Sequence, residues 1–126
     1  MRTFGWSELW FIVEAAKWTV ALSAIAFIGG ALVGLIVALS RTSDNKLASG
    51  AATFFTQIFQ GTPLLLQLFL VFFGAPILGF ELNPWVAAAA ALILNSGAFL
   101  GEIWRGCIQA VPRGQWEAAE ALSLSY

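Results

Sequence analysis

Residues 18–40, WTVALSAIAFIGGALVGLIVALS, run for 23 positions without an Asp, Glu, Lys or Arg, and Lys17 and Arg41 close the stretch at its two ends. At the rise of an α-helix this length reaches about 35 Å, enough to cross a hydrocarbon layer of about 30 Å. Two more charge-free gaps follow, 34 residues from Leu47 to Phe80 and 20 from Leu82 to Gly101. The composition agrees with this pattern. Of 126 residues, 60% are hydrophobic and 10% charged, and the mean hydropathy is +0.83, whereas soluble domains carry about 25% charge. The reading is therefore an all-α, polytopic membrane helical bundle forming one unit, with spans at about 18–40, 63–80 and 84–104.

The middle gap needs an interruption, because one straight helix over it would measure about 51 Å, too long for simple tilt. Gly61-Thr62-Pro63 supplies one: Pro63 has no backbone donor and disfavours helix at Thr62. A shorter, partly interfacial helix over Ala48–Gln60 then precedes the spanning part, and one kinked helix is the competing arrangement. The first 17 residues hold Arg2, Glu8, Glu14 and Lys17 among Phe4, Trp6, Trp10 and Phe11. That mixture describes an interface-seeking amphipathic segment, not a cleaved leader.

Several function classes are excluded. A net charge of −1 offers nothing to nucleic acid. His is absent and Cys107 stands alone, so neither an internal disulfide nor a Cys/His zinc site is available, and no metal or cofactor is expected. No phosphate-binding Gly-x4-Gly-Lys-Ser/Thr loop occurs, so ATP hydrolysis is not expected of this chain.

Basic residues set the orientation. Arg41 and Lys46 follow the first span, Arg105 and Arg113 follow the third, and the turn at 75–85 has none. Positive residues favour the cytoplasm, which puts the N-terminus outside against the minor counterweight of Arg2 and Lys17. Trp18, Trp85 and Trp104 sit near span ends, as an aromatic belt does. Gly30-Ala-Leu-Val-Gly34 offers a small face for close helix packing, and Ala87–Ala91 offers another.

Polar residues inside spans are costly unless paired or facing water, so Gln67, Asn95 and Ser96 are candidates either for interhelical hydrogen bonds or for the wall of a translocation path. Glu102 and Arg105, three apart, share a helix face at the end of the third span; they suit an ion pair, a polar gate on the translocation path, or a contact with a neighbouring span. After the turn signal Pro112-Arg113-Gly114, residues 115–122 read as a short helix. Trp116, Ala119 and Leu122 lie roughly on one side of it, with Glu117 and Glu120 on a neighbouring face. By periodicity alone it is either an interfacial helix or a docking helix.

Three motifs in order resemble one family. Phe59-Gln-Gly-Thr-Pro-Leu-Leu-Leu-Gln-Leu-Phe-Leu70 resembles the second-span signature of polar amino-acid ABC permeases. Glu102-Ile-Trp-Arg-Gly-Cys-Ile-Gln109 resembles the end of their third span, and Pro112-Arg-Gly-Gln-Trp-Glu-Ala-Ala119 the entry to their cytoplasmic loop. The similarity runs from about Trp18 onward. It implies a bacterial inner-membrane importer subunit with five spans, an external N-terminus and a loop helix that docks on a separate ABC ATPase subunit. It also implies a second permease subunit as homo- or heterodimer partner, an extracytoplasmic amino-acid-binding protein, and alternating access driven by ATP on the ATPase. By position, Glu117, Ala118, Ala119 and Ser123 would form the coupling part of the segment 106–126. The family places Gly where Ser123 stands, and Ser takes the positive φ of such a turn less readily, so a strained or altered turn is expected there. Measured against the family, the chain stops inside the coupling segment with the Ile-x-Leu-Pro half missing, and 126 residues alone are not expected to transport. Two other readings remain at this stage: a small proton-coupled exporter using Glu102, which Arg105 would however keep ionised, and a structural membrane subunit with no transport path.

Overall fold

The computed structural model describes residues 3–126, so Arg2 lies outside the described residues. Five helices follow in order: α1 Trp6–Arg41, α2 Lys46–Gly61, α3 Leu64–Ile77, α4 Pro84–Ala110 and α5 Arg113–Ala121. Their ends follow local chemistry. The Asn45 side chain accepts from the Leu47 and Ala48 amides at 3.0 and 3.3 Å and starts α2, and the Asn83 side chain accepts from the Trp85 amide at 2.9 Å with Pro84 in the first turn of α4. Inside the helices the hydroxyls of Ser23, Thr53 and Thr56 donate to the carbonyl four residues back, so these three protons are not left bare in an apolar setting.

α1 is longer than the expected first span. It begins at Trp6, so the aromatic N-terminal segment is helical and continuous with the span. No Gly or Pro interrupts residues 6–28. The Glu8 carboxylate accepts from the Gly5 amide at 2.9 Å and closes the first turn. The Ser7 hydroxyl, donating to Glu8 at 2.8 Å, and the Gly5 amide hold this carboxyl below the usual carboxylate range.

The second gap breaks rather than kinks. Thr62 and Pro63 are both extended, and the axes of α2 and α3 meet at 102°. A bend that large excludes one kinked helix. α3 has 14 residues, about 21 Å at helical rise, and so falls short of the layer by itself. It covers 64–77 of the expected 63–80 because Pro76 and Gly79 end it. Gly79 has φ +87, its amide donates to Pro76 O at 3.1 Å, and the Phe80 amide donates to Ala75 O at 2.8 Å, a Schellman stop. Two helices, α1 and α4, are long and apolar enough to cross a membrane, and the α2–α3 pair makes a third crossing if taken as one broken span. α4 starts where expected but runs past Trp104 to Ala110, since no proline occurs between Pro84 and Pro112.

The molecule is organised around α1 against α4, which run parallel. Trp18 packs at a tilt against Trp85 with ring centroids 4.9 Å apart at one end, and Arg41 pairs with Glu102 at the other. Between them the backbones meet on glycines. A methyl at Gly30 would lie 2.6 Å from Ser96 Cβ, and one at Gly34 would lie 3.0 Å from the Gly101 amide nitrogen. The facing pair is Gly97-Ala-Phe-Leu-Gly101, a second small-xxx-small motif that the sequence reading passed over although its spacing matches that of Gly30 and Gly34. Ala87, Ala91 and Ala98 are buried on the same helix. Elsewhere the surface is apolar: Ile28, Leu32, Ile36, Leu70 and Phe73 are exposed, as expected of side chains whose solvent is lipid.

Candidate functional site

Polar chemistry concentrates at three heights. The first is midway along the charge-free stretch of α1, at the level of Gly30. Here Gln67 from α3 is buried, with 7% of its surface exposed. Its amide nitrogen donates to Phe59 O at 2.9 Å, to Thr62 O at 3.1 Å and to Thr62 Oγ1 at 2.8 Å. The Asn95 amide of α4 donates to Gln67 Oε1 at 3.2 Å. The Thr62 hydroxyl in turn donates to Ile58 O at 2.8 Å. Gln67 thus faces other helices. Asn95 bridges both environments, because together with Ser96, Ser23, Phe27, Phe99 and Leu100 it also lines an open groove of about 470 Å³ on the α1–α4 face. Of Gln67, Asn95 and Ser96, the structure brings the last two to this groove and turns Gln67 into the break at Gly61-Thr62-Pro63.

The second height is the end of α1 and α4 marked by arginines. Glu102 accepts from Arg105 on its own helix and from Arg41 on α1, and Arg105 also donates to Gln109. The three charged side chains are a sixth to a third exposed. The sequence spacing foretold the Glu102–Arg105 pair but not Arg41, which lies 61 positions from Glu102. Only the parallel packing of α1 and α4 joins them.

The third is α5, which leaves α4 through Val111 and Pro112 at the same end. Arg113 Nε pairs with Glu117 at 3.1 Å, four residues along an exposed face. Ala118 is exposed and Ala119 partly covered. Ser123 has φ 57 and is the one non-glycine with positive φ among the described residues. Its amide donates to Glu120 O at 2.9 Å and the Leu124 amide to Ala119 O at 3.0 Å. These bonds reproduce the Schellman stop at Gly79, so Ser123 carries the turn a glycine would, at a steric cost of about 1–2 kcal/mol. The turn keeps its shape and the strain falls on Ser123. It folds the tail back so that Tyr126 stacks on Trp116, centroids 5.4 Å apart.

The comparisons with known proteins agree on the family. The family model described as "Binding-protein-dependent transport system inner membrane component" matches residues 30–126. A putative glutamine transport system permease protein of Rickettsia conorii is 42% identical over 118 residues, which are 93% of this chain and 54% of that protein. The arginine transport system permease protein of Bacillus subtilis is 41% identical over 117 residues, 92% of this chain and 53% of that protein. The chain therefore spans about half the length of the curated relatives it matches. Among solved structures, an amino acid ABC transporter crystallised with histidines superposes with TM-score 0.84 at 33% identity, over 100% of this chain and 60% of that one. The methionine transporter MetNI in an inward-facing conformation gives TM-score 0.69 at 20% identity, over 97% of this chain and 60% of that one, a likeness of fold. With its apolar crossing helices, its family match over residues 30–126 and its relatives among amino-acid permeases, this chain belongs to the binding-protein-dependent transport system inner membrane component family.

Proposed function

We propose that the chain forms part of the membrane pathway of an ATP-driven importer for polar amino acids and hands ATPase motion to that pathway through α5. The observation that carries this is the position of α5. It leaves α4 at the arginine-rich end and presents an exposed helix of small and acidic residues, Glu117, Ala118 and Ala119, closed by the turn at Ser123. Small side chains permit close docking of a partner surface. Glu117 is engaged by Arg113 on an exposed face, where such a pair is worth less than about 1 kcal/mol and is readily exchanged for a basic residue of an ATPase. Basic residues at this end support a cytoplasmic position for it and an external N-terminus. The assembly reads as two permease subunits, ATPase subunits on the inner face and a binding protein outside.

Asn95 and Ser96 are the path residues best placed for substrate, since they line a groove at mid-depth. Glu102 and Arg105 follow further along α4, outside the lining of that groove. The relatives bear the names glutamine and arginine transport permeases, which supports a polar amino-acid cargo. Proton-coupled export through Glu102 is disfavoured, because two arginines bind that carboxylate. The test uses the assembled importer in proteoliposomes. ATP-dependent uptake of glutamine or arginine is expected, and Ala119→Trp removes it without lowering the amount of protein in the membrane. Proton-driven efflux without ATP would overturn the reading.

A further inference from the structure

A broken span is expensive in lipid. Each helix end leaves backbone groups without intrahelical partners, and no water is present in the hydrocarbon to satisfy them. The break at Thr62–Pro63 sits at this most costly depth. Asn95, hydrogen-bonded to Gln67, adjoins Ser96, and Ser96 touches Gly30, which lies midway between Trp18 and Arg41. Gly30 is thus about 17 Å along the helix from either end of the charge-free stretch.

The geometry points to Gln67 as the positioning residue of this elbow, with Asn95 as the tie that makes α4 set it. The carboxamide has two donors and one acceptor oxygen, and all are engaged. The donors go to Phe59 O, an orphan carbonyl of the last turn of α2, and to Thr62 O and Oγ1 in the break itself. The oxygen takes the Asn95 amide. One side chain from the first turn of α3 thereby caps the end of α2 across a 102° turn and reads the position of α4. Thr62 is itself oriented by its bond to Ile58 O. Methionine would fill the same volume and make none of these bonds. Leucine at 95 would leave the bonds to Phe59 and Thr62 intact and cut only the link to α4. Because α4 leads directly into Pro112 and α5, the Asn95–Gln67 bond ties the helix that carries α5 to the elbow. The inference does not depend on what the chain carries.

The experiment measures the elbow directly in the full chain in lipid nanodiscs. Spin labels are placed at exposed Phe54 on α2 and Phe73 on α3, with Cys107→Ala to clear the background. Pulsed dipolar spectroscopy of the otherwise unaltered chain is expected to give one narrow distance distribution. Gln67→Met should at least double its width. Asn95→Leu should shift its centre with less broadening. The double variant should be no broader than Gln67→Met alone, since Asn95 acts through Gln67 and the two effects are not additive. A Gln67→Met distribution as narrow as that of the parent, or a double variant showing the sum of the two effects, overturns the proposal. Should Gln67→Met fail to insert, Asn95→Leu decides, because it retains the capping bonds: an unchanged distribution in that variant also overturns it.

Discussion

The α1–α4 seam and the α2–α3 elbow meet at the level of Asn95 and Ser96 and solve opposite problems. In the seam both helices are continuous, every interior backbone group is bonded within its own helix, and the only difficulty is how close two backbones can come. Glycine at 30, 34, 97 and 101 answers it by having no side chain. In the elbow the helix is interrupted, backbone carbonyls are freed where lipid cannot satisfy them, and a long polar side chain, Gln67, is required. The contrast teaches that small and polar residues in a membrane helix are not interchangeable signs of packing. The first kind fails by steric overlap and the second by loss of hydrogen bonds.

Substitutions can break this contrast, beginning with the seam. Gly34→Leu should have the largest effect, since its first added carbon would already meet Leu100 Cβ at 2.9 Å and a backbone nitrogen at 3.0 Å, neither of which is free to swing away. A loss of about 3 kcal/mol, the upper end for overpacking, is expected in reversible unfolding in mixed micelles. Gly74→Ala in α3 supplies the control, because nothing lies within 4 Å of the added carbon, and it should be neutral or slightly stabilising. Gln67→Met should cost less, about 1–2 kcal/mol in the same assay, in line with membrane hydrogen bonds plus stranded carbonyls.

The seam was legible in the sequence by half. Gly30 and Gly34 stood out in a charge-free stretch, but pairing them with Gly97 and Gly101 required knowing that α1 and α4 run parallel and touch. Two spans separated by a third element do not reveal in sequence whether they are neighbours. The elbow was legible as an interruption, because 34 uncharged residues are too many for one helix and Pro63 lacks a donor. Its angle was not, since 102° follows from Thr62 and Pro63 both being extended and from where Gln67 finds its carbonyls. Gln67 itself was visible only as a polar residue in a span, and the choice between path and packing depends on neighbours 5, 8 and 28 positions away. Arg41 escaped for the same reason. The positive φ at Ser123 was anticipated through the resemblance of residues 117–119 to a motif with glycine there, and not from the chemistry of serine.

Two smaller effects sharpen the account outside the apolar core. Ser123→Gly should stabilise the end of α5 by about 1 kcal/mol, since glycine adopts the left-handed region without penalty. Slower hydrogen exchange at the Leu124 amide, which is bonded to Ala119 O, would register it. Glu102→Gln removes the negative charge between two arginines, but at partly exposed positions its effect on unfolding should stay below about 1 kcal/mol.

The claim on which the rest stands is that α1 and α4 cross the membrane in the same direction and leave α5 on the inner side. The direct measurement uses Cys107→Ser chains bearing one new cysteine, either Phe4→Cys ahead of α1 or Trp116→Cys in α5, treated in intact cells with a membrane-impermeant maleimide. We predict that the cysteine at position 4 is labelled at once and the cysteine at 116 only after the cells are permeabilised. Labelling of position 116 in sealed cells, with position 4 protected, would contradict the account.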